Sequence, residues 1–257
     1  MKKTYPLNVH EFGKQNEKII VLIHPSIVRW DYFMDVIPLL EKEYHLMIPA
    51  LPGYDLSNDG EFTSVEEVAA QIVEHLKNKN IDKVDAVYGC SMGGSIALCM
   101  ATDHRITIDQ VIMDGGITPY QLPWLITRFI LLRDFGMVAL GKIGGEKMIA
   151  QAFPAEEYGE EFIRYAKEVL DHMSYRTIWR TFDSCNNYTI PLSDRMIRSR
   201  IHYWYGEQEA KERDWDIRYM RKFFPSTRFV EMAGIGHAAL APFHPKKFAE
   251  EILKVLK

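Results

Sequence analysis

Cysteine is scarce in this chain of 257 residues, and the three that occur form no recognisable pattern. Cys90, Cys99 and Cys185 are odd in number, and their spacing matches neither a disulfide framework nor a metal-binding motif. We therefore expect reduced thiols, a cytoplasmic location, and neither a metal ion nor a cofactor.

An excess of positive charge and a long hydrophobic run are also missing. The net charge is −4, so we expect no nucleic-acid partner. The first apolar run, residues 19–23, is too short for a signal peptide, and the longest, residues 122–140, contains Arg128, Arg133 and Asp134. The sequence thus predicts no signal peptide and no stable insertion into a membrane, and it does not indicate an oligomeric state.

Strand-like and helix-like segments alternate along most of the chain, which is typical of a mainly parallel, doubly wound α/β sheet. The predicted strands are residues 19–24, 45–50, 83–88, 110–113, 201–205 and 227–232, with a short edge strand near 6–10. The predicted helices between them are residues 30–43, 64–79, 91–103, 211–224 and 245–256.

One interval, residues 118–200, interrupts this alternation because it contains no convincing strand. Its helical pieces are predicted at residues 123–141, 146–152, 155–173 and 175–184. We expect a core domain of residues 1–117 and 201–257 with an all-helical insertion. The first inserted helix is rich in large apolar groups, so Trp124 and Phe129 are candidate substrate contacts, although packing against the core explains such residues equally well.

The motif that carries chemistry is Gly89-Cys90-Ser91-Met92-Gly93, a G-x-S-x-G pattern between a predicted strand and a predicted helix. A sharp strand-to-helix turn presents the serine hydroxyl, and the glycines allow neighbouring backbone to approach closely. The first N–H groups of the helix can then stabilise an oxyanion. The pattern predicts Ser91 as a nucleophile and the Met92 N–H as an oxyanion donor.

A serine nucleophile needs a general base, and the base needs an orienting carboxylate. His237 lies in a glycine-flanked loop after the last predicted strand and is the candidate base, in preference to His24. The candidate acid is Glu209, which follows the strand at residues 201–205. Glu207 and Asp114 are alternatives, with Asp114 the stronger competitor.

The second oxyanion donor is expected in the loop that follows residues 19–24. Pro25 has no N–H, so the donor is Ser26 or a later residue, and Ser26 is the better placed. The Ser26 hydroxyl could equally cap the helix that follows.

These motifs resemble those of the α/β-hydrolase superfamily over nearly the whole chain, including its order of nucleophile, acid and histidine. The resemblance rests on His24-Pro25, on residues 50–57, on the serine turn, on residues 206–209 and on residues 234–237. It implies an α/β-hydrolase sheet with a helical cap inserted after the sixth strand. The chain departs from the family pattern at four positions: Pro25, Ala50, Asp55 and Glu209.

The resemblance implies a serine hydrolase that acts on a small or medium, apolar carboxylic ester or thioester through an acyl-enzyme. A serine at position 91 argues against dehalogenase and epoxide hydrolase members, which use aspartate there. Three alternatives share the same fold: a ligand-binding protein without catalysis, an acyltransferase and a carbon–carbon bond hydrolase.

Overall fold

The computed structural model describes residues 7–56, 60–119, 122–190 and 197–257. Its seven described strands form one sheet in the order β1-β3-β2-β4-β5-β6-β7. Only β1 runs antiparallel to its neighbour, and all other pairs are parallel, which confirms the predicted sheet. The strands are β1 (Asn8–Phe12), β2 (Ile19–Ile23), β3 (His45–Ala50), β4 (Lys83–Cys90), β5 (Thr107–Asp114), β6 (Arg200–Gly206) and β7 (Arg228–Met232). Pro6 of the predicted edge strand and Ser57 of the family segment lie outside the described residues.

Helices cover both faces of this sheet, and none within the described ranges has the length and hydropathy of a membrane span. The helices are α1 (Ile37–Leu40), α2 (Val65–Asn78), α3 (Met92–Ala101), α4 (Trp124–Gly144), α5 (Glu146–Ala152), α6 (Ala155–His172), α7 (Tyr175–Asn187), α8 (Asp214–Phe223), α9 (Leu240–Phe243) and α10 (Pro245–Leu256). The helix predicted at 64–79 begins where expected, because the Ser64 hydroxyl accepts the Glu67 N–H at 3.1 Å and caps α2.

The helix predicted over residues 30–43 is wrong. A 3-10 turn covers Trp30–Phe33, and α1 begins only at Ile37. Pro38 explains the break, because a continuous helix would need its missing N–H and would force its ring against the carbonyl of Met34.

Helices α4 to α7 lie between β5 and β6 and follow the predicted boundaries closely. The family resemblance placed this segment after the sixth strand. Among the described strands, only β1 to β5 precede it, so the insertion follows the fifth described strand and not the sixth. Within α6, Gly159 has φ 78° and ψ 152°, which divides that helix into two pieces.

The core lies on both sides of the sheet, as a parallel sheet requires. Along β2, Val21 and Ile23 face the cluster formed with α2, α3 and α8, whereas Ile20 and Leu22 face the cluster formed with α1 and α10. Because every β2 side chain after Ile19 is buried, the strand is a fixed support for the loop that leaves its carboxyl end.

Candidate active site

The turn from β4 into α3 holds Ser91 at φ 51° and ψ −116°, a conformation that is strained for a residue with a side chain. Two glycines make this turn possible. A Cβ atom at Gly89 would lie 2.0 Å from the Gly93 carbonyl oxygen, and one at Gly93 would lie 2.4 Å from the Ile23 carbonyl oxygen. The expected strand-to-helix turn is therefore present, with Ser91 immediately before the first residue of α3.

Tertiary contacts keep Ser91 in this conformation. Its N–H donates to the Asp114 carbonyl oxygen at the end of β5, with a distance of 2.8 Å. Ser91 is 6% exposed and Met92 is 1% exposed, so the turn is almost closed to bulk water. The Met92 N–H belongs to the first turn of α3, where helical N–H groups have no acceptor within their own helix.

Glu209 and His237 form the polar pair that was expected beside the serine. Glu209 lies in a 3-10 turn directly after β6, and His237 lies in the loop after β7. The distance from His237 Nδ1 to Glu209 Oε2 is 2.6 Å. Glu209 also accepts the Gly206 N–H at 3.1 Å, and Arg213 Nε lies 3.5 Å from Glu209 Oε2.

Electrostatics favour the ionised form of Glu209 even though it is 4% exposed. Burial alone raises the pKa of Glu209, but His237, Arg213 and the Gly206 N–H outweigh burial and bring the pKa below its ordinary value. An ionised carboxylate can only accept, so His237 Nδ1 donates in this pair. Nε2 is then the ring nitrogen left to accept a proton.

Gly115 connects the serine turn to the acid–histidine pair. A Cβ atom at this position would lie 2.9 Å from Glu209 Oε1 and 3.1 Å from His237 Nδ1. Gly115 directly follows Asp114, whose carbonyl oxygen accepts the Ser91 N–H. One short segment at the end of β5 therefore contacts all three residues that the sequence nominates as a triad.

The alternative acids are occupied elsewhere. The Asp114 carboxylate accepts the Tyr88 hydroxyl at 2.5 Å. Burial raises the pKa of Asp114 to about 6, although the Tyr88 bond acts in the opposite direction. Glu207 is exposed and accepts the Gly234 N–H at 2.9 Å. Among the three carboxylates, the structure brings only Glu209 to His237 Nδ1.

The loop after β2 contains Ser26 in a turn next to Ile27, whose φ of 67° is rare for a β-branched residue. His24 is fully buried and its Nδ1 donates to the Pro25 carbonyl oxygen at 2.8 Å. Burial lowers the pKa of His24 to about 4, so it is neutral at physiological pH. His24 therefore fixes the shape of this loop, and His237 is the histidine paired with a carboxylate.

Three tyrosines that the sequence did not indicate support the site loops. Tyr165 of α6 accepts the Arg29 N–H at 2.7 Å, and Tyr158 of α6 donates to the His237 carbonyl oxygen at 3.1 Å. Tyr32 donates to the Ala238 carbonyl oxygen at 2.8 Å. No local pattern could have found the two tyrosines of α6, because their partners are 136 and 79 residues away.

The two candidate substrate contacts lie on the surface of α4. Trp124 is 68% exposed and Phe129 is 73% exposed, and the ring of Trp124 lies against the Arg128 guanidinium. The structure does not enclose these side chains with Ser91. Within the described residues, histidine, cysteine and acidic side chains form no group of three or more that could hold a metal ion.

This fold and site geometry define a hydrolase-type α/β architecture, and comparison with known proteins agrees. The chain matches the alpha/beta hydrolase family over residues 20–251 and belongs to that family. An alpha/beta hydrolase family protein from Desulfitobacterium hafniense has a similar structure, with a TM-score of 0.75 at 21% identity, covering 97% of this chain and 100% of that one. The enol-lactonase from Burkholderia xenovorans LB400 has a TM-score of 0.76 at 16% identity, covering 97% and 96%.

Sequence similarity to curated relatives is more limited. A pimeloyl-[acyl-carrier protein] methyl ester esterase from Vibrio vulnificus (strain YJ016) is 30% identical over 93 residues. The match covers 36% of this chain and about a third, 34%, of that relative's length. The family therefore rests on the match over residues 20–251, and the similar solved structures show the fold.

Proposed function

We propose that this protein is a serine hydrolase that cleaves carboxylic esters or thioesters through Ser91, His237 and Glu209. The observation that carries the proposal is the 2.6 Å contact between His237 Nδ1 and the buried Glu209 carboxylate. A strained serine at the head of α3 is bonded to the segment that contacts this pair. Packing alone gives no reason for a strained serine turn that is bonded to the segment next to an oriented imidazole.

In the proposed mechanism, His237 Nε2 accepts the Ser91 proton as the Ser91 oxygen attacks the carbonyl carbon of the substrate. Glu209 holds the Nδ1–H tautomer and stabilises the imidazolium. The N–H groups of Met92 and Ser26 stabilise the oxyanion. The imidazolium then protonates the leaving group as its bond to the carbonyl carbon breaks, which leaves the acyl group on Ser91. A water molecule gives a proton to His237 Nε2 and attacks the acyl carbon, and the imidazolium returns that proton to the Ser91 oxygen as the acid departs.

We also propose that residues 118–200 form a cap on a core of residues 1–117 and 201–257. Support comes from α6, whose Tyr158 and Tyr165 bond the backbone of the His237 loop and of the loop after β2. Phe153 and Phe162 pack around Tyr158 and make this region aromatic. An aromatic neighbourhood next to His237 favours an apolar acyl group. A direct substrate contact by Trp124 or Phe129 stays a prediction.

Labelling with a fluorophosphonate probe tests the nucleophile. The wild type should be labelled, and Ser91→Ala should abolish both labelling and p-nitrophenyl ester hydrolysis. Ser95→Ala is the matched control, because Ser95 lies one turn further along α3 and its hydroxyl donates to the Ile117 carbonyl oxygen at 2.8 Å. Folded wild type that is neither labelled nor active would contradict the proposal.

A chain-length series tests the substrate class. With p-nitrophenyl esters, kcat/KM should rise from acetate towards medium acyl chains, because the aromatic side chains of α6 offer apolar surface. A steep fall along the series would refute the apolar pocket and leave the nucleophile assignment intact.

A further inference from the structure

The exposed side of α4 carries an unusual number of large apolar side chains. Large apolar side chains between 45 and 73% exposed are concentrated on this helix: Trp124, Leu125, Ile126, Phe129, Leu132, Met137, Leu140 and Ile143. At about 150–200 Å² per fully exposed side chain, they present roughly 850 Å² of surface. These eight side chains spread around the exposed side of the helix, and the four that lie on one line, Phe129, Leu132, Leu140 and Ile143, present roughly 450 Å². That is the size of the largest apolar patch on a typical monomer, a kind of patch that is often functional.

Part of this face forms a regular line, here named the α4 stripe: Phe129, Leu132, Gly136, Leu140 and Ile143. At about 100° per residue, its members lie within about 40° of Gly136 around the helix axis. A Cβ atom at Gly136 would have no neighbour within 4 Å, so the backbone is open to close approach there. No charged residue belongs to the stripe.

The α4 stripe is symmetric about Gly136. Leu132 and Leu140 lie four residues before and after it, and both are 54% exposed. Phe129 and Ile143 lie seven residues before and after it, and both are 73% exposed. A two-fold axis through Gly136 therefore places Leu132 opposite Leu140 and Phe129 opposite Ile143 on an antiparallel second helix. A surface that matches itself in this way is what a two-fold interface requires.

The charges beside the stripe favour a protein over an anionic lipid surface. The Arg128 guanidinium lies 2.7 Å from Asp183, and that of Arg133 lies 2.7 Å from Asp134. Lys142 donates to the carbonyl oxygen of Asp171 at 2.8 Å. Each of these cations on α4 already has a partner in its own chain, whereas helices that bind membrane surfaces usually present free basic residues.

We propose that the α4 stripe is the contact surface for a second copy of this chain, with the two α4 helices antiparallel and crossing at Gly136. This inference does not depend on the chemistry proposed for Ser91. In this arrangement Phe129 packs opposite Ile143 of the second copy, so the dimer contact and the predicted substrate contact are competing roles for this side chain.

Light scattering after size exclusion tests the association on the full chain. The wild type at micromolar concentration should give twice the 29.9 kDa mass of one chain. Leu132→Glu should shift the mass to that of a monomer, because it buries a charge opposite Leu140. Leu39→Glu is the matched control, since Leu39 is an exposed leucine of α1, and it should leave the dimer intact. A monomeric wild type, or a dimer unaffected by Leu132→Glu, would overturn the proposal.

Crosslinking tests the geometry without adding a charge. In the antiparallel arrangement, a 1:1 mixture of Leu132→Cys and Leu140→Cys chains should form a disulfide-linked dimer under copper–phenanthroline and oxygen. Leu132→Cys alone should not, because its two copies are about 12 Å apart along the axis, beyond disulfide reach. Cys90, Cys99 and Cys185 are buried and give the background. Equal crosslinking of Leu132→Cys alone would refute the antiparallel crossing. A monomeric wild type that binds phosphatidylcholine vesicles would assign the stripe to lipid instead.

Discussion

The substitution Glu209→Gln separates the role of a negative charge from the role of side-chain shape. Glutamine retains an oxygen for the Gly206 N–H, but it removes the charge 2.6 Å from His237 Nδ1. Its amide N–H₂ can also face Nδ1 and turn the imidazole into the tautomer that cannot accept the Ser91 proton. We expect kcat to fall and KM to change little, because Glu209 orients His237 and does not touch the substrate.

The size of the effect follows from the geometry of the pair. A contact of 2.6 Å between Nδ1 and Oε2 places the two charge centres about 4 Å apart, where opposite charges attract by about 4 kcal/mol at an effective dielectric constant near 20. If this attraction is present only when His237 is protonated in the transition state, losing it lowers kcat by about 10³-fold. Rotation of the amide to the wrong tautomer lowers kcat further.

Initial rates with a p-nitrophenyl ester give kcat and KM, and circular dichroism checks the fold. The matched control is Glu207→Gln, which makes the same change two residues earlier at an exposed carboxylate bonded to the Gly234 N–H. The control should remain within about twofold of wild type, because an exposed charge contributes little. If Glu209→Gln retains more than about a tenth of wild-type kcat, or if Glu207→Gln loses as much, the assignment of the acid is refuted.

Two further predictions concern the groups around the triad. Because burial holds the pKa of Asp114 at about 6, above its ordinary 3.8, ionisation destabilises the folded state at neutral pH, and this penalty disappears as the pH falls from about 6 to about 4. Urea unfolding gives the free energy of unfolding of Asp114→Asn minus that of wild type. This difference should be up to about 3 kcal/mol more favourable to the variant at about pH 7.5 than at about pH 4. A difference that does not change with pH would contradict this. Tyr165→Phe removes the acceptor of the Arg29 N–H and should lower kcat about tenfold with KM unchanged. The control is Tyr188→Phe, whose hydroxyl donates to the Ile117 carbonyl oxygen instead, and an equal effect of that change would refute a positioning role for Tyr165.

The sequence predicted the sheet, most helices and the pairing of Glu209 with His237, for identifiable reasons. Apolar runs of strand length indicated the strands of the sheet, and Ser64 indicated the start of α2, which its hydroxyl caps. The placement of Glu209 and His237 after consecutive strands predicted that they would meet, because parallel neighbours end at one edge of the sheet. Their 2.6 Å contact is the structural outcome of that placement.

Other features were missed, one in spite of a local signal and the rest because no local pattern indicated them. The division of residues 30–43 had a signal in Pro38, but the supports from α6 had none, because Tyr165 and Arg29 are far apart in the chain. The orientation of α4 was equally hidden, because this helix is apolar around most of its circumference. Only contacts with the rest of the fold select Leu131 as a buried residue and leave Phe129 exposed.

Backbone strain links the inserted helix α6 to the candidate site. Four described residues other than glycine have positive φ: Ile27, Asn80, Ser91 and Ala238. Three of them lie in the loop after β2, in the serine turn and in the His237 loop, so strain is concentrated where the proposed chemistry occurs. Strained conformations persist only when surrounding contacts hold them, and α6 supplies two such contacts through Tyr158 and Tyr165. Changes in α6 should therefore alter the rate of catalysis itself, in addition to the choice of substrate.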